Sequence, residues 1–176
     1  ACEVLRVAVD ETPRPGEKAD DLVCRLAAAK ARAGMELPRV RPAPVVAADT
    51  AVALGAELFG KPVDEADAVR MLTRLGGRTH EVWTAVAIAE AGRERVELSR
   101  SEVSFRAIDA REAAAYWRTG EPVDKAGGYG IQGLGAIFIS ALKGSYSGVM
   151  GLPLFETARL LESFSGPLLE AMAADE

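Results

Sequence analysis

Apolar residues recur along this chain at two periods, and the changes between them divide it into elements. Residues 3–9 (EVLRVAV) predict a short strand running into the polar turn DETPRPGE. From 20 to 33 the spacing of Leu22, Leu26, Ala29 and Ala33 is helical, and Gly34 supplies a C-terminal stop. Residues 44–54 (PVVAADTAVAL) read as a buried strand that only Asp49 and Thr50 interrupt. Gly55-Ala56 then turns the chain toward ELFGKP. Asp64 caps a helix with Ala68, Val69, Leu72 and Leu75 on one face, ended by Gly76-Gly77.

Residues 81–89 (EVWTAVAIA) and 94–106 predict a hairpin that closes through Ala91-Gly92. Asp109 and Glu112 have capping-box spacing and open a helix through Tyr116 and Trp117 that stops at Gly120. Beyond a glycine-rich stretch, residues 136–142 predict a further strand. Pro153 then sits in the first turn of a helix bearing Leu154, Leu161 and Phe164. Helices alternate with strands and at least one strand pair is antiparallel. The expected class is therefore α/β, with a mixed sheet flanked by helices. A length of 176 residues suits one domain with a substantial core and room for two lobes.

Composition narrows the function. With 49% apolar and 27% charged residues, the chain reads as a soluble globular protein rather than a disordered one. Its net charge of −5 and pI near 5.1 argue against a nucleic-acid partner, and no basic run is interleaved with aromatics. Cys2 and Cys24 do not make a disulfide framework, and Cys24 fits the helical pattern as a small core residue. With no signal peptide in view, these features favour a reducing cytoplasm. The longest uncharged run, 126–142, is broken by glycines and Gln132, so no membrane span is expected. The chain has no internal repeat and no low-complexity linker.

The most informative stretch lies between Gly120 and Gly151, where nine of the 17 glycines fall. That density weakens ordinary helix and strand, and suits positive φ angles and main-chain N–H groups brought close to a phosphate. Asp124, Lys125, Gln132, Lys143, Ser145 and Ser147 are set among them, which suits a polar anionic small molecule. Since the protein is acidic, binding an anion requires clustered lysines or a metal cation. Lys30, Lys61 and Lys125 stand out because only five of the 21 basic residues are lysines.

Asp49 is the sharpest single signal. A carboxylate inside an apolar strand is costly unless it is paired or has a task. Strand ends in α/β sheets commonly place such groups at a ligand crevice. A structural Asp that caps a turn or pairs with a buried Arg is the alternative. Glu11, in the turn Asp10-Glu11-Thr12-Pro13, is a candidate second carboxylate, since two can hold a Mg²⁺ that also binds phosphate. DETP is also an ordinary surface turn.

Residues 128–133 match G-x-G-x-x-G, but that fingerprint follows an apolar strand and opens a helix. Here polar EPVDKAG precedes it and β-like GAIFISAL follows, so a dinucleotide fold and an NAD-dependent oxidoreductase are disfavoured. Walker A spacing is missing from the sequence. His80 is the lone histidine, which makes a zinc site or a Ser-His-Asp triad a poor reading. It is expected to fix the turn from helix to hairpin, with Arg78 bonding nearby carbonyls.

Taken together, several short motifs resemble the Maf family of nucleotide pyrophosphatases. They are Ala48-Asp49-Thr50, Gly60-Lys61-Pro62, Gly77-Arg78-Thr79-His80-Glu81, Val103-Ser104-Phe105-Arg106, Gly120-Glu121-Pro122 with Lys125-Ala126-Gly127, Tyr129-Gly130-Ile131-Gln132-Gly133, and Gly144-Ser145-Tyr146-Ser147 with Gly151-Leu152-Pro153. They stand in family order and spacing over residues 8–165. The resemblance implies a two-lobed α/β fold with a central cleft. It also implies hydrolysis of a nucleoside triphosphate to monophosphate and pyrophosphate with a divalent cation, Mg²⁺ or Mn²⁺.

Family correspondence makes Asp49 the general base and Glu11 a polar, substrate-binding site residue, and the two carboxylates are the expected metal ligands. It places Lys30 and Lys61 among the polar site residues. Thr50 and Gln132 match the branch acting on dTTP and UTP; the 7-methyl-GTP branch has Gln and Glu there. The family opens with a strand, a Ser-x-Ser-Pro-Arg-Arg loop and a helix that residues 1–176 do not contain, so these are read as one Maf-like domain without that unit; either the unit lies upstream of Ala1 or the chain is a degenerate member with impaired activity. A cytoplasmic homodimer that clears nucleotide pools is the implied setting, without nucleic-acid or membrane partners. The rival reading is a catalytically weak nucleotide-binding regulator of septum formation and cell division.

Overall fold

The structure, a computed structural model, describes residues 2–38, 43–90 and 92–173. A long helix, α1 (Ala19–Glu36), comes first, followed by strand β1 (Val45–Leu54) and the short strand β2 (Glu57–Phe59). Helix α2 (Glu65–Leu75) leads into the hairpin of β3 (Thr79–Glu90) and β4 (Arg93–Phe105), and then α3 (Ala110–Trp117). Two 3-10 turns, Ala126–Gly128 and Leu134–Phe138, precede β5 (Ile139–Lys143). The chain closes with α4 (Tyr146–Val149), α5 (Leu154–Ser165) and α6 (Leu168–Ala173).

The strands form one sheet in the order β2-β1-β3-β4-β5, and every described pairing is antiparallel. The helix-flanked α/β sheet expected from the alternation is thus present. Side-chain alternation in β1 and β3 divides the core between two faces. Ala51, Ala53, Ala85, Ala87 and Ala89 face α1, where small side chains let the helix approach through Ala27 and Ala31. On the opposite face Val52, Val82, Val103 and Phe105 meet Leu72, Leu75, Tyr116, Tyr129 and Phe138. A smaller cluster seats Leu160, Leu161 and Phe164 on Val86 and Ile88, while Leu154 is exposed.

Several boundaries differ from expectation. Residues 3–9 form no strand: Leu5, Val7 and Val9 are half-buried, and Val9 packs against the α1 cluster. Alternation there reflects a segment lying over a helix, not one entering a ladder. Gly34 does not end α1. It lies inside the helix, where a Cβ would come 2.7 Å from Val45 Cγ1, so its smallness serves close packing. The hairpin forms with Glu90 opposite Arg93; Gly92 has φ +82°, and Ala91 lies outside the described residues.

Asp64 caps α2 through the Asp67 N–H as predicted. Asp109 does the same for α3, but the Glu112 carboxylate turns to Arg106 rather than completing the box. Residues 134–138 are 3-10 helix, so the last strand starts at Ile139; Phe138 is fully buried at the junction. Cys24 is half-buried against the α1 cluster. Among the described residues, no helix is long and apolar enough to cross a membrane.

Candidate active site

β2 pairs only with Val52, Ala53 and Leu54, so among the described residues the outer edge of β1 from Val45 to Ala51 carries no strand. A cleft of about 490 Å³ opens along that edge, within the range of small-molecule sites. It is walled by α1, the turn after β2, the glycine-rich segment and residues 149–151. Glu11, Lys30, Asp49, Thr50, Lys61 and Gln132, the six residues that the family correspondence puts in the site, line it. Asp124 and Lys125 line it too, whereas Lys143 pairs with Glu102 away from it. Ser145 instead caps α4 through the Gly148 N–H.

The sheet pleat explains the division of labour. Asp49 shares the face of Ala51 and Ala53, and therefore meets α1. There Lys30 Nζ lies 2.6 Å from both Asp49 Oδ1 and Glu11 Oε1. Thr50 points to the other face, where its hydroxyl lies 2.9 Å from that of Thr84 on β3. The cleft wraps around the strand edge and reaches both. Asp49 does pair with a cation, as its structural alternative required, but that cation is a lysine in the wall of the cleft.

Burial pushes the Asp49 carboxyl above its ordinary value, although Lys30 pulls it down. Glu11 is more exposed, and its hydrogen bond from Lys30 holds it below the usual range. Burial acts against the Lys30 ammonium, yet the bonds to Asp49 and Glu11 outweigh it and raise its pKa. Lys61 adds positive charge near both carboxylates. Two carboxylates of different basicity thus share one ammonium.

The glycine segment is held in place by partners the sequence did not reveal. Gly127 and Gly128 both have positive φ, and the Gly127 N–H donates to Gly60 O at 2.9 Å, joining the segment to the Lys61 turn. Glu121 accepts from the N–H groups of Leu134 and Gly135 and from the Tyr116 hydroxyl, which itself accepts from the Gly130 N–H. These contacts bracket Gln132. Their only signal in the sequence was a carboxylate beside a glycine cluster. Residues 128–133 run from the last residue of one 3-10 turn to the start of another, so the strand-to-helix setting of a dinucleotide fingerprint is missing.

His80 is corrected from a turn residue to a buried strand residue: it lies in β3, with Nε2 2.8 Å from the Tyr129 hydroxyl. Arg78 meets its neighbours through its backbone, donating to Leu75 O and accepting from the Phe105 N–H. Burial pushes the His80 imidazole down to about 4 from 6.5. The unfolded chain therefore takes up a proton near pH 6.5 that the folded one refuses. Stability from this group is complete above pH 6.5 and is lost as pH falls toward 4, by about 3 kcal/mol in all. His80→Gln keeps a partner for Tyr129 without titrating. Urea unfolding at pH 7 and pH 4.5 should show a clearly smaller loss in the variant; equal losses would remove His80 as the source.

A family model described as Maf-like protein matches residues 1–164. The chain is 54% identical over 163 residues to a protein of Aromatoleum aromaticum named dTTP/UTP pyrophosphatase, covering 91% of this chain and 79% of that protein. A protein of the same name from Saccharophagus degradans is 50% identical over 172 residues, 97% of this chain and 82% of its own length. Another, from Xanthomonas campestris pv. campestris, is 51% identical over 165 residues, 92% and 87% of the two chains. Motif order, a cleft lined by all six expected side chains and these matches agree: the chain belongs to the Maf family.

Proposed function

We propose that the chain hydrolyses dTTP and UTP to the monophosphate and pyrophosphate. The observation that carries this reading is the meeting of Asp49, Lys30 and Glu11 at one point of a cleft that Thr50 and Gln132 also line. It is supported by the activity named for the Aromatoleum, Saccharophagus and Xanthomonas relatives.

Asp49 acts as general base, taking the proton from a water that attacks the α-phosphorus. Its burial raises its basicity, which favours that role. Lys30 orients the carboxylate and, with Lys61, offsets charge on the phosphates. Gln132 presents an amide donor and acceptor to the base edge.

Asp49 and Glu11 are hard oxygen donors that already converge on one cation, the Lys30 ammonium, so the pair fits Mg²⁺ or Mn²⁺. Such an ion supplies electrostatic stabilisation of the phosphate charge. Because the ammonium holds the same oxygens, metal is expected to bind together with nucleotide, whose phosphates add ligands.

Incubating the protein with dTTP, UTP, CTP or GTP and Mg²⁺, and measuring pyrophosphate and monophosphate, tests the reading. Release of monophosphate and pyrophosphate from dTTP and UTP is the expected result. Binding without turnover would favour the regulator of cell division instead.

A further inference from the structure

Gln132 alone does not explain a preference for uracil and thymine, because its amide can turn to present either a donor or an acceptor. A group of fixed polarity is needed, and the contact between β1 and β3 provides one. Thr84 stands directly opposite Thr50 in the ladder and is 1% exposed. Its hydroxyl lies 2.8 Å from the carbonyl oxygen of Gly148, which can only accept, so the single Thr84 proton is committed there. The 2.9 Å contact between the two hydroxyls must then use the Thr50 proton. Gly148 is itself fixed, since its N–H donates to Ser145 Oγ and a Cβ there would press on Ser99 Oγ at 3.1 Å.

We propose that Thr84 is a positioning residue that turns the Thr50 proton away from the cleft, leaving Thr50 a pure acceptor that selects bases with an N–H at ring position 3. Uracil and thymine carry that N–H; cytosine has a lone pair at N3, which would face the lone pairs of Thr50. Two opposed acceptors leave both unsatisfied, which is the costly arrangement. The inference rests on the reading of the cleft as a pyrimidine triphosphate site.

The test compares kcat/KM for UTP and CTP. Wild type should favour UTP, and Thr84→Ala, which frees the Thr50 proton, should reduce that preference about tenfold or more. Thr84→Ser restores the hydroxyl and should restore the preference. Adding Thr84→Ala to Thr50→Val should change the preference no further, because the effect passes through Thr50. A folded Thr84→Ala protein with undiminished preference, or a Thr84→Ser protein that behaves like it, overturns the inference. If Thr84→Ala does not fold, wild type assayed with N3-methyl-UTP decides: loss of turnover is expected, and turnover equal to UTP overturns it. Wild type that hydrolyses no pyrimidine triphosphate sinks the functional reading itself; equal turnover of UTP and CTP sinks only this inference.

Discussion

Asp49→Asn is expected to lower pyrophosphate release from UTP by about a thousandfold, within the usual span for removing a general base, while the fold is retained. Asn keeps the shape of the side chain and an oxygen that can accept from Lys30 Nζ, so the contact to α1 is preserved. The Lys30 ammonium also keeps its second carboxylate, Glu11, at 2.6 Å. What is lost is the group able to take a proton from water. Steady-state pyrophosphate release and circular dichroism check the two halves of the prediction. The rising acid limb of kcat/KM in wild type should report the ionisation of Asp49. That limb should vanish in the residual activity of the variant. Near wild-type turnover by Asp49→Asn would remove Asp49 from the base role.

The site was legible where a residue broke its local pattern. Asp49 is conspicuous because neutral small residues surround it along β1, and burying a carboxylate there needs a reason. Lys30 is less conspicuous, since a lysine within a helical pattern is usually solvated; only its meeting with Asp49 across 19 residues gives it meaning. Thr84 and Glu121 were not legible as functional groups. Thr84 gains its role from a contact 34 residues away, and Glu121 from N–H groups 13 and 14 residues on. No period or spacing rule encodes such pairings. The misread segment 3–9 makes the same point for the fold: its apolar residues report half-burial, but which neighbour buries them is decided by α1. His80 was misplaced because a lone histidine beside glycines reads as a turn, whereas the register of β3 carries it into the core.

Gly135→Ala should damage activity more than its single methyl group suggests. Gly135 lies in the 3-10 turn just beyond Gln132, with its N–H bound to the Glu121 carboxylate at 2.9 Å. A Cβ there would come 2.5 Å from the Tyr116 hydroxyl and 2.7 Å from the carbonyl oxygen of Gly130. Neither neighbour can yield cheaply. Tyr116 is held by Glu121 and by the Gly130 N–H, and the Gly130 carbonyl belongs to the same backbone segment that carries Gln132. Relief therefore requires the 130–135 segment to shift, at about 1–3 kcal/mol for overpacking a tight site. A displacement near 1 Å in a positioning segment costs about a hundredfold in rate, so kcat/KM for UTP should fall by that order. Glu121→Gln probes the same clamp from the other side. An amide cannot accept from Leu134, Gly135 and Tyr116 together, and its NH₂ would face a donor. Urea unfolding and steady-state kinetics on both variants separate the stability cost from the catalytic one. Unchanged kcat/KM in Gly135→Ala would show that the clamp does not hold Gln132 in its working position.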